Sequence, residues 1–234
     1  MRDLQTRLVI VEGIMGSGKS TTARCIATRL DGAGRPAQPV TETSSPHPVR
    51  ATDGLAHWYQ PWLDITPAGL AERSLAKWQT FVAAAQSAAT AHVLDGQLFH
   101  GDLTTLFLMD AGSAAIVKYI LAVEETVRPL RPLLVYFYQD DVSRAIRAIA
   151  TERGEEWVKY QVNWKLRAPY SRRLGLEGLD GLIVLYRDYR ALTDELYARL
   201  GLAKLAIENS PRAWPAYCQR IMQELLGGGP PEAI

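Results

Sequence analysis

Apolar residues fall into five short runs along the chain, separated by longer stretches in which they recur with a helical period. The runs Arg7 to Val11, Ala37 to Thr43, Ala91 to Asp95, Leu133 to Tyr138 and Lys204 to Ile207 predict strands. Leu133 to Tyr138 is the strongest of them, unbroken by a polar residue, as a strand buried on both faces would be. Helical periodicity predicts helices over Ser20 to Leu30, Ser74 to Ala89, Leu103 to Val127, Asp141 to Thr151 and Leu182 to Leu200. Between them, Val49 to Lys77 is rich in tryptophan, histidine and proline, and Arg153 to Leu179 is polar with aromatic residues interspersed. Strands that alternate with helices require crossover connections. The expectation is therefore an α/β fold, a five-stranded parallel sheet with helices on both faces.

The turn between the first strand and the first helix carries the most informative chemistry. Gly13-Ile14-Met15-Gly16-Ser17-Gly18-Lys19-Ser20 has the GxxxxGKS pattern of a phosphate-binding loop. Its glycines let successive backbone N–H groups point at one anion, and the following helix adds the positive end of its dipole. Lys19 would neutralise the β- and γ-phosphates and the Ser20 hydroxyl would ligate Mg²⁺. Gly13, Gly16, Ser17, Gly18, Lys19, Ser20 and Thr21 are the expected nucleotide contacts, with ATP and Mg²⁺ as cofactors.

Length and charge narrow the picture further. At 234 residues and 47% hydrophobic content the chain suits a single P-loop domain over 1–226, with an insertion over 43–90, a lid over about 144–170 and a disordered tail over 227–234. A formal net charge of +1 gives no clustered basic excess, so neither nucleic acid nor an anionic membrane is expected as a partner. The two cysteines, Cys25 and Cys218, lie far apart and lack metal-site spacing, which suits a reducing compartment. No secretory signal or membrane span is visible near the amino end, and the expectation is a cytoplasmic protein, with homodimerisation left open.

Phosphoryl transfer needs positive charge around the moving group, a metal, and a residue that orients the acceptor oxygen. Arg144, Arg147 and Arg153 lie on and beyond the helix after the fourth strand, where lid arginines would close over a triphosphate; Arg147 and Arg153 are the stronger catalytic candidates. Asp95 ends an apolar strand at the carboxyl edge of the sheet, where ligands gather, and could hold Mg²⁺ or accept a proton. Glu42 follows the same logic at the second strand. Arg50 and Trp58, in the stretch that also holds His47, His57, Tyr59 and Trp62, are candidate acceptor contacts, as is Gln97 near Phe99, His100 and Asp102. Trp157, Tyr160 and Trp164, at near-helical spacing, read as packing residues.

Val11-Glu12-Gly13 leading into the glycine loop resembles the first strand and loop of the deoxynucleoside kinase and thymidylate kinase group. Glu42 is similar to the glutamate that acts there as base on the nucleoside 5′-hydroxyl, and Glu152-Arg153-Gly154-Glu155-Glu156 resembles that group's lid. The resemblance implies a nucleoside- or nucleotide-kinase-like P-loop NTPase that moves the ATP γ-phosphate to a small-molecule acceptor. One departure stands out. After the third strand those kinases carry Asp-Arg or Glu-Arg-Ser, and this chain carries Asp95-Gly96-Gln97, which leaves a non-nucleoside metabolite or an antibiotic open as acceptor. A second class, a regulatory ATPase acting through a protein partner, also stays open; the Asn-Lys-x-Asp guanine signature is absent.

Overall fold

A computed structural model describes residues 5–227. Its sheet has five parallel strands in the order β2-β3-β1-β4-β5, formed by β1 (Leu8–Glu12), β2 (Ala37–Val40), β3 (Ala91–Asp95), β4 (Leu133–Tyr138) and β5 (Ala203–Glu208). The inner strands β1 and β3 are buried along their whole length, and β4 along all but its last residue. The edges read differently. Pro39 sits in β2, which pairs only with β3, so the N–H that proline lacks is missing from the unpaired side of an edge strand. The register sets Val11 beside both Asp95 and Val135.

Alternate residues of the inner strands feed two cores. On one face Val9, Val11, Val135 and Phe137 meet α1 (Lys19–Gly32) and α9 (Trp214–Leu226) through Ile26, Leu30, Ile221 and Leu225. On the other, Leu8, Ile10, Leu94 and Leu134 pack against α2 (Pro67–Ser87), α4 (Ser113–Val127) and α8 (Gly178–Arg199). Each fully buried aliphatic side chain contributes about 1.5–3 kcal/mol, so the inner strands form a rigid base for the loops at their carboxyl ends.

The structure refines several boundaries. The helix expected from Ser74 begins at Pro67, where Thr66 accepts a hydrogen bond from the Gly69 N–H (3.2 Å) and proline occupies the first turn. The single helix expected over Leu103 to Val127 is two, α3 (Asp102–Leu108) and α4. Asp110 adopts a left-handed conformation between them, and both its carboxylate oxygens are held by Arg173, at 2.6 and 2.8 Å. The helix expected from Asp141 has that residue as its cap, and α5 (Val142–Arg153) ends at Gly154, whose positive φ separates it from α6 (Glu155–Lys165). Helices α6 and α7 (Pro169–Arg173) fill some of the polar, aromatic stretch, and α9 fills a segment given no element by periodicity.

Cys25 and Cys218 form a disulfide between α1 and α9, against the expectation that they serve as thiols of a reducing compartment. Their separation along the chain conceals that both helices cover the same face of the sheet. No helix among the described residues is long and apolar enough to cross a membrane. Of the tail expected to be disordered, 228–234 lies outside the described residues.

Candidate nucleotide and acceptor site

Strand β1 lies beside β4, and the connection that leaves β1 runs to β2 on one side of the sheet while the connection that leaves β4 runs to β5 on the other. A crevice must open at their carboxyl ends, at the topological switch point of the sheet. The glycine loop sits there. Gly13 has φ +147°, and a Cβ on it would come within 2.6 Å of Ser17 Oγ and 2.7 Å of the Phe137 carbonyl oxygen. Gly18 has φ +81° and lies against the Trp214 indole, which a Cβ would meet at 2.5 Å. The first turn of α1 has neither a side-chain cap nor an acidic residue. Its amides are therefore free to meet an anion from outside the chain. Lys19 is buried and donates to the carbonyls of Gly13 and Ile14, both at 3.0 Å, which folds its ammonium back along the loop. Burial pushes its pKa down, while Asp95, Glu12 and Glu42 oppose that shift.

A cavity of about 600 Å³ opens over the loop. Its walls divide according to strand order. On the β4 and β5 side stand Ile149, Glu152, Arg153, Arg212 and Trp214, with Arg212 paired to Glu152 at 3.0 Å. On the β2 and β3 side stand Glu42, Asp95 and His100. Helix α6 contributes Trp157, Gln161, Trp164 and Lys165.

Of the residues singled out from sequence, Gly16, Gly18, Lys19, Ser20, Thr21, Glu42, Asp95 and Arg153 line this cavity. Gly13 and Ser17 lie in the loop behind its surface; Ser17 is buried, and its carbonyl accepts from Asn209 Nδ2 at 2.6 Å. Arg147 is exposed and pairs with Asp180 at 2.7 Å, outside the lining. Arg50 pairs with Asp53 (3.4 Å) and donates to the Glu42 carbonyl, so it braces the turn that carries Glu42 without lining the cavity itself. Trp58 is exposed and packs edge-on against Tyr59. Gln97 is buried with φ +112° and is likewise absent from the lining.

Glu12 enters the sequence reading only as a letter of the loop motif, and its position explains the loop after β3. The carboxylate is fully buried; Oε1 accepts from the N–H groups of Leu98 (2.7 Å) and Phe99 (2.8 Å), and Oε2 from that of His100 (3.0 Å). One side chain at the end of β1 thus holds the segment that leads from Asp95 to His100. Burial pushes its pKa up to about 7, against the opposing pull of these three donors and of Lys19. Asp102 anchors the chain in a similar way just beyond that segment, accepting from Ala51 N–H (3.1 Å) and Ser74 Oγ (2.6 Å); burial raises its pKa to about 6.

The inner face of α6 is the other region that sequence reading passes over. Lys165 is 4% exposed, and its ammonium lies 4.5 Å from the Trp164 ring centroid and 5.3 Å from that of Tyr186. Burial, and next the charge of Lys19, push its pKa down to about 7. The spacing 157, 161, 164, 165 is a usable signal, since those positions share one helical face. It is obscured because two of the four are tryptophans, which read as core.

No protein-family model matches the sequence, and no curated protein matches it. Among solved structures the chain is similar to the YorR protein from Bacillus subtilis, determined in complex with phosphorylated GDP. That likeness has a TM-score of 0.50 at 14% sequence identity and covers 94% of this chain and 95% of the other. The shared property is the fold, a parallel α/β sheet flanked by helices.

Proposed function

We propose that this protein is a P-loop phosphotransferase that binds a nucleoside triphosphate with Mg²⁺ and moves its γ-phosphate to a small-molecule acceptor. The observation that carries the reading is the convergence, in one cavity at the sheet's switch point, of the glycine loop, Lys19, Ser20 and two strand-end carboxylates, Glu42 and Asp95. YorR, solved with phosphorylated GDP, supports nucleotide binding by a protein of this fold.

The loop amides, the open end of α1 and Lys19 would hold the β- and γ-phosphates. When an anion arrives, the Lys19 ammonium can exchange its two carbonyl contacts for bonds to phosphate oxygen, in which the acceptor as well as the donor is charged. The wall of Ile149, Arg153 and Trp214 would flank the donor's base and sugar. Ser20 and Asp95 supply a hydroxyl and a carboxylate, a hard oxygen set that fits Mg²⁺, which takes one or two protein oxygens beside phosphates and water. Bound there, the ion would supply neutralisation of charge on the transferring group. Glu42, exposed on the β2 side, would orient the acceptor oxygen and take its proton, and Arg153 would stabilise charge in the transition state.

The test is incubation with Mg-ATP and a pool of nucleosides, nucleotides and polar metabolites, followed by mass spectrometry. A product one phosphoryl group heavier than a pool member is expected, absent with Lys19→Ala. ATP hydrolysis indifferent to every acceptor but accelerated by a protein partner would replace this reading with that of a regulatory ATPase.

A further inference from the structure

Gln161, Trp164 and Lys165 stand one turn apart on α6 and all line the cavity. Gln161 Oε1 and Trp164 Nε1 are buried without a hydrogen-bond partner, and the Lys165 ammonium has no hydrogen bond or ion pair among the described residues. His100 Nδ1, across the cavity, is likewise without a partner. Leaving buried polar groups without hydrogen-bond partners costs free energy, and a cavity that gathers three of them around an ammonium held only over aromatic rings fits a ligand that completes them.

The kind of ligand follows from the kind of group. Lys165 and the Trp164 N–H are neighbouring donors, one of them a cation, and they fit an oxyanion. Gln161 Oε1 is an acceptor and fits a hydroxyl or N–H on the same molecule. Position decides between donor and acceptor. The triphosphate already has the loop amides and Lys19, and Arg153 and Trp214 stand toward β4 and β5. Leu166 and Arg167, which follow Lys165 directly, line a smaller pocket together with Gln60, Trp62 and Leu63 of the segment between β2 and β3, which sets the end of α6 that carries Lys165 toward that side. Glu42 lines the same cavity and makes no ion pair with Lys165, so among the described residues no carboxylate occupies the place an external anion would take.

We infer that Lys165, with Trp164 and Gln161, forms the acceptor subsite, and that the acceptor is a small oxyanion, a phosphate monoester or a carboxylate that also carries a hydroxyl or N–H group. The inference rests on the phosphotransferase reading and names the substrate class of its second site.

The experiment titrates inorganic phosphate, and then matched pairs such as uridine with uridine 5′-monophosphate and ribose with ribose 5-phosphate, into the full chain. It is run with and without Mg-AMP-PNP. Saturable binding of phosphate and of the anionic members is expected in the presence of Mg-AMP-PNP, with the neutral members weaker by about tenfold or more. Lys165→Met should weaken the anions by about 10- to 100-fold, Trp164→Phe by less, and Lys165→Arg should restore some of the loss, all with unchanged Mg-AMP-PNP affinity. Lys165→Met that weakens Mg-AMP-PNP and spares the anions would assign the residue to the donor triphosphate and overturn the inference. Neutral members that bind as well as anionic ones would overturn it too. Should Mg-AMP-PNP itself fail to bind, the phosphotransferase reading fails separately. Phosphate binding sensitive to Lys165→Met and insensitive to Lys19→Ala would then still support the oxyanion subsite, and the reverse pattern would refute it.

Discussion

The two ends of the cavity are built in opposite ways. The glycine loop is closed on itself before any ligand arrives: Lys19 already spans two carbonyls, and the Gly13 and Gly18 conformations are wedged by Phe137 and Trp214. The α6 wall keeps an indole N–H and an amide oxygen without hydrogen-bond partners among the described residues, beside an ammonium that lies over the Trp164 and Tyr186 rings. A preformed loop can bind the chemistry common to all nucleoside triphosphates with little reorganisation. A wall of unpaired groups selects, because each group penalises any ligand that fails to satisfy it. Under the proposed function, the contrast would give general phosphate recognition to one end and choice of acceptor to the other.

The largest effect expected along this contrast is at the preformed end. Lys19→Ala should weaken Mg-ATP binding by about a hundredfold or more, as loss of a charge-assisted phosphate contact implies, with the circular dichroism spectrum unchanged. Quenching of intrinsic tryptophan fluorescence by nucleotide would report it, since Trp157, Trp164 and Trp214 line the cavity, and affinity within about twofold of wild type would remove the basis for treating the loop as the donor site.

The scaffold under the selecting end should respond to pH through Asp102. Its carboxyl titrates near 3.8 when unfolded and near 6 when folded, so between these values the folded chain keeps a proton that the unfolded chain has released. Its contribution to stability is complete below about pH 4 and is lost as pH rises through 6, by up to about 3 kcal/mol. Glu12, shifted in the same direction, adds a slope of its own, so the comparison is with Asp102→Asn, in which the Asp102 share should vanish from denaturant titrations. An identical pH slope in the variant would contradict the assignment.

Glu12→Gln should cost about 1–3 kcal/mol, because an amide cannot accept all three N–H bonds of Leu98, Phe99 and His100. Hydrogen exchange should quicken at those amides and stay slow in the glycine loop. Uniform loosening of both would show that the two ends are not independently held.

Arg153→Ala should lower turnover about tenfold with little change in nucleotide affinity, whereas Arg147→Ala should change neither beyond about twofold, since Arg147 is exposed and paired with Asp180. Steady-state kinetics on both variants checks the pair, and equal losses would mean that the lid extends further along α5 than the cavity does.

Much of this architecture is legible in the sequence, for identifiable reasons. β3 and β4 have the limits their apolar runs predict because both are buried on both faces, and the parallel sheet follows from their alternation with helices. The glycine loop is legible because each of its positions has a separate task. What escapes depends on contacts remote in sequence. Glu12 looks like a motif letter until Leu98, Phe99 and His100 are brought to it, and the Cys25–Cys218 bond requires knowing that α1 and α9 share a face. The α3–α4 break turns on Asp110 meeting Arg173, 63 residues away. Lys165 is hidden for a related reason: beside tryptophans, a lysine on a short helix reads as surface until the cavity is seen in front of it.

Isothermal titration of Mg-ATP into the wild-type chain tests the central claim most directly. A saturable heat with one site per chain is predicted, lost when Lys19 is replaced by alanine. Absence of saturation with ATP, GTP, CTP and UTP alike, in a protein shown to be folded, would contradict it.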